Sequence, residues 1–129
     1  AQKWAAGWGL GVKELTLIKP PDWIDTKNKT FHLIHVHQDQ VTRLPDRGQL
    51  IATTNHCKYA AYIIEDLVFS IQGHPEFDFS YTNALIELLK NRTSPRCIEE
   101  AHESFSTPHE GKKTARWILS FFASHAPTW

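Results

Sequence analysis

The order of patterns along the sequence predicts strands first and helices last, as in an α+β domain or the second half of an α/β domain. Three observations carry that expectation. Up to Gly73 the apolar residues come in short β-prone runs bounded by Gly, Pro, Asn and Asp. Two of those runs flank a two-residue connection, as the arms of a hairpin do. Beyond Gly73 the apolar residues recur at helical spacing behind capping residues.

The elements follow in order. Gly7, Gly9 and Gly11 bracket Trp8 and Leu10 and lead into a strand, Val12 to Ile18, ended by Pro20-Pro21. Their G-x-G-x-G spacing lacks the strand-then-helix context of a dinucleotide loop, so it reads as a glycine-rich strand entry. Asp25 to Thr30 is polar loop. Phe31 to Val36 alternates Phe31, Leu33 and His35 with His32, Ile34 and Val36, which suits a strand covered on both sides. Leu44 to Gly48 is a turn and Leu50 to Thr54 a strand. Tyr59 to Ile64 and Leu67 to Gln72 then flank Glu65-Asp66. Ser80 caps a first helix carrying Ala84, Leu85, Leu88 and Leu89. Ser94-Pro95 opens a second, with Ile98, Ala101 and Phe105. Thr107-Pro108-His109-Glu110 has the form of a capping box for a third, running through Ala115, Ile118, Leu119 and Phe122.

A chain of 129 residues with 41% hydrophobic side chains is one ordinary domain, long enough to bury a core without disulfides or metal. Its 14 basic and 14 acidic residues cancel, which argues against a nucleic-acid partner, since that affinity rests on clustered Lys and Arg. No apolar run reaches the roughly 20 residues that span a bilayer, and the first residues lack a secretion signal, so no membrane partner is expected. Cys57 and Cys97 read as reduced thiols of a soluble, cytoplasmic protein. With no methionine at all, the chain is expected to be part of something longer.

Three constellations could carry chemistry. Gly73-His74-Pro75-Glu76-Phe77 sets an imidazole and a carboxylate two positions apart at a strand's C-terminal end, where open α/β sheets place ligands. An imidazole oriented by a carboxylate is the general-base half of a nucleophilic triad, while a plain turn with a solvated acid would read the same way. His35 and His37 share a strand face as zinc ligands can, but the sequence identifies no third ligand, and no metal is assigned. Cys57 could complete a Cys-His-Glu set, yet its setting Asn55-His56-Cys57-Lys58-Tyr59 lacks the small neighbours that a nucleophile elbow needs.

The ordered set His37-Gln38-Asp39-Gln40-Val41, Leu44-Pro45, Leu50-Ile51-Ala52 and Ile71-Gln72-Gly73-His74-Pro75-Glu76-Phe77 resembles the class I glutamine amidotransferase family. Over about residues 7 to 125 it is most similar to the GMP-synthase-like branch that includes gamma-glutamyl peptidases. The resemblance implies a flavodoxin-like, doubly wound α/β fold, of which residues 1–129 would be the C-terminal part. It also implies hydrolysis of glutamine's side-chain amide by a Cys-His-Glu triad. His74 matches the base, Glu76 its orienting carboxylate, and His37, Gln38 and Asp39 the loop lining the pocket for the substrate's amino-acid end. The substrate would be glutamine or a γ-glutamyl compound, with no cofactor, and a synthetase or other acceptor would be the partner. The family's Gly-x-Cys-x-Gly elbow lies upstream of the segment that residues 7–18 match, and no such elbow occurs in these residues. The alternatives are a gamma-glutamyl peptidase of the same fold and a non-catalytic binding domain that kept it.

Overall fold

The computed structural model describes residues 1–127. Five strands form a sheet in the order β3-β2-β5-β6-β7: β2 is Gly9–Leu17, β3 Thr30–His37, β5 Gly48–Thr53, β6 Ala61–Ile64 and β7 Val68–Ile71. Two short strands, β1 (Gln2–Lys3) and β4 (Asp39–Gln40), pair beside it. Three helices follow, α1 (Phe79–Leu89), α2 (Pro95–Ser104) and α3 (Gly111–Ser124), completing an α/β architecture. The five strands pair antiparallel, because no connection between them carries the crossover helix that parallel pairing needs.

The alternation expected for β3 holds, and each face meets its own core. Phe31 and Leu33 join Leu15, Ile51, Ala61 and Trp117 of α3 in one cluster. Val36 packs with Leu10, Ile86 of α1 and Ala101 of α2 in the other. The Phe31 and Trp117 rings meet edge to face at 4.9 Å, an arrangement that adds to what area burial alone provides. Trp23, from the β2–β3 connection, closes the side of this core against Phe69 and Phe121.

Both exposed flanks of the β2–β3 pair are held by helices. At the outer edge of β3, the His32 N–H donates to the Glu110 carboxylate at 2.9 Å, and the Glu110 N–H donates to the His32 carbonyl at 2.7 Å. On β2, Gly11 has φ +85°, and a Cβ there would come 2.9 Å from the Ala101 backbone. The neighbouring Val12 N–H donates to the Ser104 hydroxyl at 2.8 Å.

Several local expectations are corrected. The cap of α1 is Asp78, whose carboxylate accepts the Tyr81 N–H at 2.7 Å, and Ser80 is the helix's exposed second residue. The Thr107–Glu110 capping box does not form: α3 starts at Gly111 without a side-chain cap, since the Glu110 carboxylate is engaged by β3. Ser94 and Pro95 open α2 as expected. The hairpin turns at Glu65-Asp66, but Ile64 pairs with Val68, leaving Leu67 outside the ladder and 78% exposed.

Candidate functional site

The segment leaving β7 is fastened before it becomes α1. The His74 N–H donates to the Ile34 carbonyl of β3 at 2.8 Å, and the Phe77 N–H closes a turn onto the His74 carbonyl. Gly111 packs directly on the Pro75 carbonyl, where a Cβ would clash. In this frame His74 Nδ1 and Glu76 Oε1 stand 2.8 Å apart. The imidazole lies flat on Phe77, with centroids 4.0 Å apart and planes 3° from parallel, and Tyr81 meets Phe77 edge-on. Burial raises the Glu76 pKa, but its hydrogen bonds to His74 and to its own N–H, with the His74 charge, outweigh that and lower it overall. Glu76 is therefore held as a carboxylate beside the ring. With Nδ1 engaged, Nε2 is the nitrogen left to move a proton on and off a substrate.

His37, Gln38 and Asp39 lie elsewhere, around a recess of about 480 Å³ that Lys3, Trp8 and Gln72 complete. Neither His74 nor Glu76 lines it. The recess thus joins the His37-Gln38-Asp39 motif to Gln72 of the motif that carries His74 and Glu76, while the His74–Glu76 pair itself stands outside its lining. Lys3 and Trp8 come from outside both motifs, in stretches that no short window of sequence links to the recess.

Behind the recess sits a group of buried imidazoles. His35 Nδ1 and His37 Nε2 are 2.9 Å apart, so the two rings bond to each other. Among the described residues no group of three or more His, Cys, Asp or Glu is placed to hold a metal ion. His56 stands near His37, its Nε2 3.2 Å from the Gly7 carbonyl. Burial drives the His35 pKa well below its usual value, and the charges of His37 and Lys13 reinforce it. His37 falls to about 4 for the same leading reason, aided by His56 and His74.

Cys57 is fully buried in the core cluster that holds Trp117. Burial pushes its thiol up to about 11, the opposite of what a nucleophile requires. Cys97 is half-buried in the α1–α2 core with Sγ 3.8 Å from the Trp8 carbonyl.

Comparison with known proteins places the fold. The family model for glutamine amidotransferase class-I matches residues 9–92. Gamma-glutamyl peptidase 3 of Arabidopsis thaliana is 34% identical over 91 residues, covering 66% of this chain and 36% of the peptidase. Gamma-glutamyl peptidase 2 of the same plant is 26% identical over 98 residues, covering 73% of this chain and 38% of its own length. The chain therefore spans well under half the length of these relatives. The crystal structure of a glutamine amidotransferase from Thermotoga maritima superposes with a TM-score of 0.62 at 15% identity, over 98% of this chain and 54% of that one, and shows the same fold. The chain belongs to the class I glutamine amidotransferase family.

Proposed function

We propose that this chain supplies the proton-transfer half of a hydrolase acting on the γ-carbonyl of a glutamyl group, with a Cys-His-Glu triad whose cysteine comes from outside residues 1–129. The observation that carries the reading is the 2.8 Å contact between His74 Nδ1 and Glu76 on a segment fastened to β3 and α3. A thiolate adding to the γ-carbonyl forms a tetrahedral oxyanion; His74, protonated by that thiol, gives the proton from Nε2 to the departing nitrogen, leaving a thioester. His74 then takes a proton from water, whose attack releases glutamate and the thiol. Glu76 holds the ring and stabilises its charged form. The recess at His37, Gln38 and Asp39 would hold the amino-acid end, with Lys3 and Asp39 offering charges of both signs to a zwitterion. No cofactor is required. Two free cysteines suit a cytoplasmic setting.

Both the amide of glutamine and a γ-glutamyl peptide bond present this carbonyl. The peptidase relatives favour the peptide; with glutamine, the ammonia would pass to a synthetase partner. The test is a chimera carrying the upstream segment of gamma-glutamyl peptidase 3 ahead of this chain. It should release amine from γ-glutamyl peptides faster than ammonia from glutamine, and His74→Ala should remove nearly all turnover. The 129-residue chain alone should release no ammonia. An active chimera indifferent to His74→Ala would leave the family resemblance speaking for fold only.

A further inference from the structure

The sheet opens where β2 and β5 part. β2 pairs with β3 from Gly9 to Thr16, but with β5 only at Thr16 and Leu17. Beyond Thr53 the chain turns at Thr54-Asn55-His56, and Thr54 Oγ1 fixes that turn by accepting the His56 and Cys57 N–H groups. A recess of about 390 Å³ lies between this turn and β2, lined by Lys13, Thr16, Thr53, Asn55 and His56 among others. Lys13 is unusual in this place. Cross-strand pairing sets it opposite Leu33 and on the face of Leu15, both core residues, and it is half-buried. Among the described residues no carboxylate stands within salt-bridge distance of its ammonium. Glu14 also borders the recess, but alternation turns its side chain to the opposite face, where the carboxylate lies 3.4 Å from His32 Nε2. The groups that feel the Lys13 charge are imidazoles: His56 in the recess and, behind it, His37 and His35. A half-buried cation among bases is costly unless a negative charge joins it. His56 adds a second group that can meet such a charge. Its Nε2 lies 3.2 Å from the Gly7 carbonyl, which can only accept, so Nε2 carries the hydrogen and Nδ1 is bare in the neutral ring. That Nδ1 has no protein partner and, unlike the orphan nitrogens of His35 and His37, is not sealed from solvent.

We propose that this recess is a binding site for a phosphate-type oxyanion, held by the Lys13 ammonium and the His56 ring, with the Thr16 and Thr53 hydroxyls and the Asn55 amide as further donors. The donor set selects that ligand. No arginine lines the recess, so the planar fork that matches a carboxylate is missing. A point charge ringed by hydroxyls suits a tetrahedral group, as at other phosphate-binding lysines. The anion draws a proton onto His56 Nδ1, which then becomes a donor to it. None of the lining residues belongs to the His74–Glu76 pair or to the recess at Gln38 and Asp39, so the site stands independently of the function proposed above.

The test is a titration of the ¹⁵N-labelled 129-residue chain with inorganic phosphate, and separately with glycerol 3-phosphate, at an ionic strength matched by sodium chloride. Saturable shifts should centre on Lys13, Thr53, Asn55 and His56, and the His56 pKa should rise when phosphate is bound. Lys13→Met, which keeps the length of the side chain, should weaken phosphate about tenfold or more. The same variant should raise the His56 pKa without phosphate, since the repelling charge is gone. Tighter binding of glycerol 3-phosphate would assign the site to a phosphate ester, and tighter binding of inorganic phosphate to the free anion; either upholds it. Wild-type shifts no larger than those from chloride would overturn the proposal, whether or not Lys13→Met folds. Undiminished binding by a folded Lys13→Met would do the same, as would acetate binding as tightly as phosphate.

Discussion

In the proposed mechanism His74 moves protons and Glu76 only orients it, and kinetics can tell the two roles apart. Glu76→Gln preserves shape but replaces a charged acceptor with a neutral one. In the active chimera it should leave turnover reduced on the order of 10² to 10⁴-fold, a smaller loss than for His74→Ala, with the melting temperature unchanged. Equal turnover in Glu76→Gln and wild type would remove Glu76 from the site. The buried histidines set a second expectation. His37 titrates at about 4 in the fold against 6.5 when free, and His35 is lowered too. Between those values the unfolded chain binds protons that the folded chain refuses, so acid favours unfolding. Stability should be flat above about pH 6.5 and fall as pH drops toward 4, and His37→Gln should flatten that slope in denaturant titrations. A slope identical in His37→Gln would place its origin in other groups.

The segments that frame the site depend on a few contacts between elements. Gly111 begins α3 against the Pro75 carbonyl, so Gly111→Ala must push α3 off the His74 segment. It should cost roughly 1–3 kcal/mol, the usual penalty of overpacking, and should also shift the His74 resonances. An unchanged melting temperature would mean that the contact yields freely. Asp78→Ala, by contrast, should cost about 1 kcal/mol as a lost helix cap. Local signals were legible where the partner is local: the β3 alternation, the Ser94-Pro95 helix start and the His74–Glu76 pair all lie within a few residues. The capping box at Thr107–Glu110 failed because the Glu110 carboxylate bonds a strand 78 positions earlier, which no window of sequence reveals. The recess was half legible for the same reason. Its own loop carries His37, Gln38 and Asp39 and the His74 motif carries Gln72, whereas Lys3 and Trp8 arrive only through the fold.

At the scale of the whole molecule, the sheet ends at β7, and an apolar recess of about 240 Å³ opens beside it between Leu67, Val68, Ile118 and Phe122. Leu67, Leu119 and Phe122 are 78%, 68% and 64% exposed, so a strand end and an apolar helix face stand together in solvent. The chain should bind a hydrophobic dye and self-associate at micromolar concentration. Leu119→Lys combined with Phe122→Lys should reduce both with little change in melting temperature. A clean monomer with no dye binding would show that this face is not sticky. The helix clasps on β2 and β3 have a consequence in time. The His32 and Val12 amides bond to side chains of Glu110 and Ser104 rather than to a neighbouring strand, so each can exchange its hydrogen with solvent once its clasp opens, while the β2–β3 ladder stays intact. Native-state exchange at these two amides would therefore report two separate openings: His32 the release of the start of α3, which bears on the His74 segment, and Val12 the release of α2.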